Sequence, residues 1–299
     1  MFRTRDIYLK MCHQSKLLHV LTEEERFKLQ AHLRQMYVDI ERVCDKHGLT
    51  VMLAYGSLLG AVRHGGFIPW DDDLDLFMPR EDYDKFIQLY SDELPSNYIV
   101  YAPHGRNGSI ANFGKVVDKN TEFITPGDEN MTHYRGVFVD IFPLEYIGTN
   151  RIINNAKRLL AMSLIYIAGS VGQYEAHSKL YRELMSGSSS AMFNYWFRQA
   201  IGFLFSFVKG SVWRNWIDDV CRGGEKTEYL HVPSGEYQWD PIEKKNYYPI
   251  IKIQFDDIQA YIPEHPSFLL NWTYGDWQRI PKKEERWEHF VVSFKLKLL

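Results

Sequence analysis

Four aspartates fall within five residues, in Asp71-Asp72-Asp73-Leu74-Asp75, and an apolar run, Leu76-Phe77-Met78, follows them. From Asp73 onward polar and apolar residues alternate with the period of a β-strand. Asp73 and Asp75 therefore project from one face, and Leu74 and Leu76 from the other. Carboxylates so placed repel one another unless a cation lies between them, and hard oxygen ligands suit magnesium or manganese. The pattern predicts a metal site. An EF-hand loop starting at Asp71 is the competing motif. It fails at the sixth position, where Leu76 replaces the glycine of the sharp turn, and at the twelfth, where Asp82 replaces the bidentate glutamate. A solvated acidic turn is the bland alternative, but an exposed turn has no need of the flanking apolar residues.

Two further stretches bear on the same chemistry. Upstream, Tyr55-Gly56-Ser57 ends the apolar run Val51-Met52-Leu53-Ala54, and a small Gly-Ser turn lets a phosphate approach backbone N–H groups. Downstream, Asp140 sits in the otherwise apolar Gly136-Val137-Phe138-Val139-Asp140-Ile141-Phe142-Pro143-Leu144. A buried carboxylate is too costly to keep charged without a partner. A metal or a catalytic proton is the natural one, and a hydrogen-bonded structural Asp at a strand end is the alternative.

A strand, a Gly-Ser turn and a second strand bearing Asp-x-Asp together resemble the nucleotidyltransferase superfamily. The gap here is longer than the common pattern, with fifteen residues between Ser57 and Asp73. Tyr55-Gly56-Ser57-Leu58-Leu59-Gly60-Ala61-Val62-Arg63-His64, followed by Gly66-Phe67-Ile68-Pro69-Trp70-Asp71-Asp72-Asp73-Leu74-Asp75, resembles the signature of the LicD family. These are phosphocholine transferases related also to fukutin and fukutin-related protein. The resemblance implies an α/β (α+β) fold, a nucleotidyltransferase-like mixed sheet flanked by helices, with a helical insertion. It implies metal-dependent transfer of a phosphoalcohol, typically phosphocholine from CDP-choline, to a hydroxyl of a cell-surface glycan or its lipid-linked precursor, with release of CMP. Asp73, Asp75 and Asp140 would hold Mg2+ or Mn2+. Asp71, Asp140 or an unidentified group would take the acceptor proton. Gly56 and Ser57 would cradle phosphate, Arg63 and Lys115 would supply positive charge, and His64, Trp70 and His289 would complete the substrate site. Lys115 read by itself is equally a solvated edge charge, and His289 a structural histidine near a terminus. Trp70 suits the quaternary ammonium of choline; CDP-ribitol, CDP-glycerol and CDP-ethanolamine are the alternative donors. Other readings are a nucleotidyltransferase that releases pyrophosphate from an NTP, and a catalytically dead nucleotide- or glycan-binding scaffold. The intact acidic positions count against the scaffold.

The elements that must position these residues follow from the rest of the 299-residue chain, long enough for one large domain or two small ones. Thr22-Glu23-Glu24-Glu25 is a capping box, and the apolar steps Leu29, Leu33, Met36, Ile40 and Val43 predict a helix from there to His47, stopped by Gly48. Tyr83, Phe86, Ile87 and Tyr90 predict a helix after the acidic strand. Strands are expected at 98–101, 112–117, 121–125, 228–232 and 250–255, and a helix over 268–277 ending at Gly275. Arg286-Trp287-Glu288-His289 resembles the family's ending. The expected division is a catalytic core over 1–150, a helical insertion over 151–225 with a flexible joint at 186–190, and a closing part over 226–299.

A net charge of −3 and the absence of a basic block argue against a nucleic-acid partner. Three cysteines without metal-ligand spacing favour a reducing compartment, and no apolar run suited to a signal peptide follows Met1-Phe2-Arg3-Thr4-Arg5-Asp6, so a cytoplasmic protein is expected. The aromatic region 193–213, with Phe203, Leu204, Phe205, Phe207 and Val208 beside Lys209 and Arg214, fits a membrane surface on the inner face of the plasma membrane. Ordinary core packing is its competing explanation.

Overall fold

Helix α1 (Glu23–His47) starts where its capping box dictates. The Glu25 backbone N–H donates to Thr22 Oγ1 at 3.2 Å, and the Thr22 N–H donates to the Glu25 carboxylate at 2.9 Å. Each bond satisfies a group that a helix start leaves unpaired. Gly48 ends the helix with φ 63°, a left-handed conformation that glycine adopts without steric penalty. Leu29, Leu33, Met36, Ile40 and Val43 are all buried, so the stripe legible in the sequence is the core face.

The computed structural model describes residues 11–13, 15–131, 135–234, 238–283, 286 and 289–297, with no account of the side chains of 90–92. Positions 1–6, the Tyr90 side chain, Trp287 and Glu288 thus lie outside the described residues. Around α1 the chain runs through β1 (His19–Val20), β2 (Met52–Leu53), α2 (Tyr55–His64), β3 (Asp75–Pro79), α3 (Arg80–Glu93), β4 (Tyr98–Tyr101), β5 (Gly114–Asp118), β6 (Glu122–Ile124) and β7 (Phe138–Tyr146). Four helices follow: α4 (Arg151–Ala176), α5 (Lys179–Ser186), α6 (Ser189–Phe205) and α7 (Gly210–Cys221). The chain then forms β8 (Tyr229–Val232), β9 (Gln238–Glu243), the hairpin of β10 (Ile250–Phe255) and β11 (Ile258–Pro263), α8 (Ser267–Tyr274), β12 (Phe290–Val291) and β13 (Ser293–Lys295).

The fold is a mixed α/β arrangement around a seven-stranded sheet with central order β2-β3-β7-β5-β4, extended by β8 and β9 from the far end of β7. β3 and β7 are parallel, and the other pairings in this sheet are antiparallel. One large core joins α1, the central strands, β10 and β11, with Leu33, Met36, Leu76, Val139 and Ile141 completely buried. Burial of side chains of this kind stabilises by roughly 1.5–3 kcal/mol each.

Several local expectations shift. The Gly-Ser turn is the first turn of a helix, α2, because Tyr55 takes φ 38° and redirects the chain straight out of β2. β3 begins at Asp75, so Asp73 precedes the strand instead of lying in it. β6 pairs with the C-terminal β13 and not with the main sheet. Strands β9 and β11 carry no expectation from sequence. Gly187 and Ser188 alone separate α5 from α6, so the expected flexible joint is a tight corner. The last helix stops at Tyr274, with Gly275 after it at φ 65°, so the expected glycine stop holds although 276–277 lie beyond the helix.

The helices α4 to α7 carry small cores of their own. Ala161, Ala168 and Val171 of α4 pack with Trp213, Ile217 and Cys221 of α7, while Leu184 and Met185 of α5 pack with Tyr195 of α6 and Phe290. The three cysteines are buried and form no disulfide. Outside these contacts α6 and its C-terminal turn leave Phe193, Phe203, Leu204 and Phe207 between 63% and 76% exposed. Core packing takes up Phe205 and Val208, which lie against the α4–α7 core instead of facing outward, but does not account for these four side chains. Among the described residues no helix is long and apolar enough to cross a membrane.

Candidate active site

Three neighbouring strands bring the key side chains together. Asp75 at the start of β3 is paired in register with Asp140 of β7, and Asp140 in turn with Lys115 of β5. Adjacent strands lie about 4.8 Å apart, so the three residues form one row across the sheet. Lys115 Nζ stands 2.5 Å from Asp140 Oδ1 and 3.4 Å from the centre of the Phe138 ring. This ion pair makes Lys115 an internal counter-charge and excludes the solvated edge lysine.

Burial disfavours the charged form of every carboxylate here, and neighbouring carboxylates add to it. Burial holds Asp75 well above the usual carboxylate range, with Asp73 and Asp140 pushing the same way. Asp73 is pushed up to about 6 by burial and by Asp72 and Asp140, against the opposing pull of His289. Asp71 is raised by burial, then by Asp73 and Asp72. Asp140 is raised by burial against the opposition of Lys115. Asp71 Oδ2 is moreover buried without a hydrogen-bond partner. Crowded hard oxygens, mutual repulsion and an orphaned carboxylate oxygen are the environment that a divalent cation relieves, so this donor set fits magnesium or manganese.

The first turn of α2 closes one side of this cluster. A Cβ on Gly56 would stand 3.1 Å from Asp71 Oδ2, so glycine is what admits the Asp71 carboxylate against the helix. Ser57 is 1% exposed, and its Oγ accepts the Asp75 N–H at 2.9 Å. Its hydroxyl thus fixes the start of β3. Gln30 of α1, which sequence reasoning missed, donates to the Asp71 carbonyl at 2.9 Å and holds the acidic loop from behind.

The outlying candidates have separate surroundings. Arg63 donates to the carbonyls of Trp277 at 2.7 Å and Arg279 at 3.3 Å, tying α2 to the segment after α8. His64, whose pKa is lowered by burial and then by Arg63, stands edge-on to Trp70 at 6.1 Å. The face of Trp70 carries the Arg286 guanidinium at 4.0 Å, the position expected of a choline ammonium. His289 is 217 positions from Asp72 yet hydrogen-bonded to it, Nδ1 to Oδ1 at 2.5 Å and backbone N–H to Oδ2 at 3.1 Å. Burial alone would lower the His289 pKa, but Asp72 and Asp73 outweigh it and push it up to about 9. Ligand atoms of Asp72, Asp73 and His289 lie within 4.8 Å of one another, but His289 Nδ1 is engaged by Asp72. Asp71, Asp75 and Asp140 are the carboxylates crowded beside this trio, and Asp73, Asp75 and Asp140 do not themselves converge to within that distance as a group. Asp72, passed over in the sequence, is 5% exposed and is the residue that anchors His289. Tyr274 also adjoins the cluster: burial of its hydroxyl, then the charges of Asp75, Asp71 and Asp73, raise its pKa.

Residues 48–158 match the family described as LicD/FKTN/FKRP, nucleotidyltransferase domain. The chain is 41% identical over 253 residues to the lipopolysaccharide cholinephosphotransferase LicD of Haemophilus influenzae, an alignment spanning 83% of this chain and 89% of that protein. The chain belongs to the LicD family. It is a LicD-type phosphotransferase with a nucleotidyltransferase-like fold. The ribitol 5-phosphate transferase FKRP of Homo sapiens is 42% identical over 64 residues, 21% of this chain and 13% of that protein. The mannosyltransferase regulator 4 of Saccharomyces cerevisiae is 30% identical over 116 residues, 39% of this chain and 9% of that protein. The LicD segment 48–158 contains the row Asp75-Asp140-Lys115 and the first turn of α2 but ends inside α4. His289 and Arg286 reach the LicD site from the far end of the chain.

Proposed function

We propose that the protein transfers a phosphoalcohol, phosphocholine from CDP-choline, to a hydroxyl of a cell-surface glycan or its lipid-linked precursor, releasing CMP. The observation that carries this reading is the row Asp75, Asp140 and Lys115 beside Asp71 and Asp73, in a chain similar over most of its length to a lipopolysaccharide cholinephosphotransferase. Asp73, Asp75 and Asp140 are the proposed ligands of Mg2+ or Mn2+, with Asp71 next to them. When bound, the cation supplies positive charge that offsets the donor diphosphate and the departing CMP. The first-turn backbone of α2 at Gly56 and Ser57 receives donor phosphate, as unpaired N–H groups at a helix start do. Asp140, ion-paired with Lys115 in the row, accepts the acceptor's hydroxyl proton. The acceptor oxygen bonds to the phosphorus bearing choline, and the electron pair of the broken P–O–P bond leaves with CMP. Protonated His289, held by Asp72, and Arg63 add positive charge at the edge of the site.

Incubation with Mg2+ and each CDP-alcohol in turn, with glycan acceptor, tests the reading by CMP release. CDP-choline is expected to turn over and an NTP to yield no pyrophosphate. Release from CDP-ribitol or CDP-glycerol but not CDP-choline would overturn the donor, and pyrophosphate release would overturn the reaction class. CDP-ribitol is the second reading, favoured by the 64-residue likeness to a ribitol 5-phosphate transferase and by the Trp70 face already carrying Arg286.

A cytoplasmic enzyme working on a lipid-linked acceptor needs to meet the membrane, and the proposed contact is the exposed face of α6 and its C-terminal turn. Phe193, Phe203, Leu204 and Phe207 stand exposed there. Positions 151–209 hold seven basic against two acidic residues in a chain of net charge −3, so this region complements an anionic bilayer. The protein is expected to co-sediment with phosphatidylglycerol vesicles but not with phosphatidylcholine vesicles, and the Phe203→Ser/Phe207→Ser variant to stay in the supernatant. Equal sedimentation of variant and parent would remove this assignment.

A further inference from the structure

A cavity of about 1030 Å³ lies between the sheet and the helical insertion. One wall is Lys115 and Val117 of β5 with Phe138 of β7; the other comes from α4, α6 and α7. Lys115 is the ion-pair partner of Asp140, and His289, which also lines the cavity, is the partner of Asp72. The cavity therefore reaches the acidic cluster through these two paired cations, with none of the cluster's carboxylates among its described lining residues.

Its far wall is shaped around two guanidinium groups. A Cβ at Gly169 would lie 2.7 Å from Arg198 Nη2, and one at Gly172 would lie 3.2 Å from Arg214 Nη2. Gly210, which opens α7, stands 3.1 Å from Arg214 Nη1 by the same construction. Three glycines thus clear the space through which Arg198 and Arg214 reach the lining, and larger residues would displace both side chains. Two buried donors on this wall, Arg198 Nε and Gln173 Nε2, have no hydrogen-bond partner. A buried donor left unmatched is costly, and a bound acceptor group recovers that cost. Lys115 is already matched by Asp140, and the remaining basic side chains Arg198, Arg214 and Lys209 outnumber the acidic lining residues Asp128 and Glu175. A pocket with surplus cations and unmatched donors selects an anion, and the aromatic rings of Phe123, Phe138 and Phe290 along it offer flat apolar surface.

The position of the cavity selects between the two substrates. In an in-line displacement the incoming oxygen and the departing group lie on opposite sides of the phosphorus. The first turn of α2 and the start of β3 flank the acidic row on one side, and none of the described lining residues comes from β2, α2 or β3. The cavity flanks the row on the other side, at β5.

We propose that this cavity is the acceptor site, and that it takes an anionic saccharide whose phosphate or carboxylate is held by Arg198 and Arg214. The inference rests on the phosphotransfer reading for the direction of attack, and on the cavity itself for the ligand class. The helical insertion is then half of a substrate site. The acceptor hydroxyl reaches the phosphorus past Lys115 and delivers its proton to Asp140 on the near side of the row.

Ligand-observed NMR titration of the full chain with glucose 6-phosphate, glucose and CMP tests this without turnover. Glucose 6-phosphate is expected to bind at least about tenfold more tightly than glucose, since the charged contact is worth more than a kilocalorie-scale hydrogen bond. Saturating CMP with Mg2+ should leave that binding in place. Arg198→Gln and Arg214→Gln should each weaken it about tenfold or more and leave CMP affinity unchanged, and Arg198→Lys, which keeps the charge but has no counterpart of Nε, should fall between Arg198→Gln and the parent. Displacement of glucose 6-phosphate by CMP would make the cavity a nucleotide site and overturn the assignment. Equal binding of glucose and glucose 6-phosphate, or unchanged affinity in both Gln variants, would overturn it as well. If a Gln variant does not fold, the CMP competition and the Arg198→Lys variant still decide. A chain that binds glucose 6-phosphate in this way but releases no CMP from any CDP-alcohol would keep the cavity and lose the reaction.

Discussion

Asp73→Asn and Asp75→Asn each lower Mg2+-dependent CMP release by more than about a hundredfold, the upper end of what outer-shell substitutions at metal sites cost. The melting temperature stays level or rises. The reason is that the carboxylates repel one another in a desolvated row, so the fold carries them at a loss that the reaction requires. The pH dependence in chelator follows from the same crowding. Asp73 has a folded pKa raised from 3.8 to about 6 by burial, with Asp72 and Asp140 adding to it. The folded state therefore holds its proton at pH values where the unfolded chain has lost it. That contribution is complete below the unfolded value near 3.8 and disappears as pH rises through about 6. Wild-type protein in EDTA should lose stability across this window, Asp73→Asn should lose less, and Mg2+ should restore the wild type above pH 6 without helping the variant. Calorimetric melting at several pH values, with and without Mg2+, measures all three. Near-wild-type turnover in either variant would exclude the carboxylates as cation ligands.

Arg80→Met is expected to destabilise the protein by about 3–5 kcal/mol, because it strands buried carboxylates. Arg80 opens α3, is 8% exposed and bonds Glu145 of β7 through Nε at 2.6 Å and through Nη2. Its Nη2 also donates to Asp218 of α7 at 2.7 Å. Glu145 and Asp218 are each 1% exposed. The network continues through Asp84 and Arg222, where Arg222 Nη1 donates to Asp84 Oδ2 at 2.6 Å. One guanidinium thus joins the strand that carries Asp140 to the helix that carries Arg214. Its loss should loosen α7 against β7, so acceptor-dependent turnover falls along with stability. Urea denaturation gives the free energy, and amide exchange in α7 reports the loosening. Arg80→Met/Glu145→Leu/Asp218→Leu should recover part of the loss, since fewer unpaired charges remain buried. A single variant within about 1 kcal/mol of wild type would mean that water reaches these carboxylates.

The sequence by itself determined the family and the elements that carry its acidic residues. Repulsion in Asp71-Asp72-Asp73-Leu74-Asp75, the apolar run around Asp140 and the capping box at Thr22 are local facts, and local facts survive folding because they are set by neighbours along the chain. The β3, β7 and α1 elements were legible for that reason. The tertiary structure alone decided which partners meet. Register between β3, β7 and β5 depends on strands up to 65 positions apart, and it turned Lys115 from an edge charge into the counter-charge of Asp140. His289 finds Asp72 across 217 positions, and Arg63 is taken up by carbonyls beyond α8, contacts with no periodic signature. The start of α2 was misread as a turn because the reversal at Tyr55, with φ 38°, is a backbone choice that tertiary packing sustains. The insertion was unreadable as part of a site because a cavity is a property of two surfaces facing each other. Arg198 and Arg214 look in the sequence like any basic residues on amphipathic helices, and only the glycines opposite them give their side chains a direction.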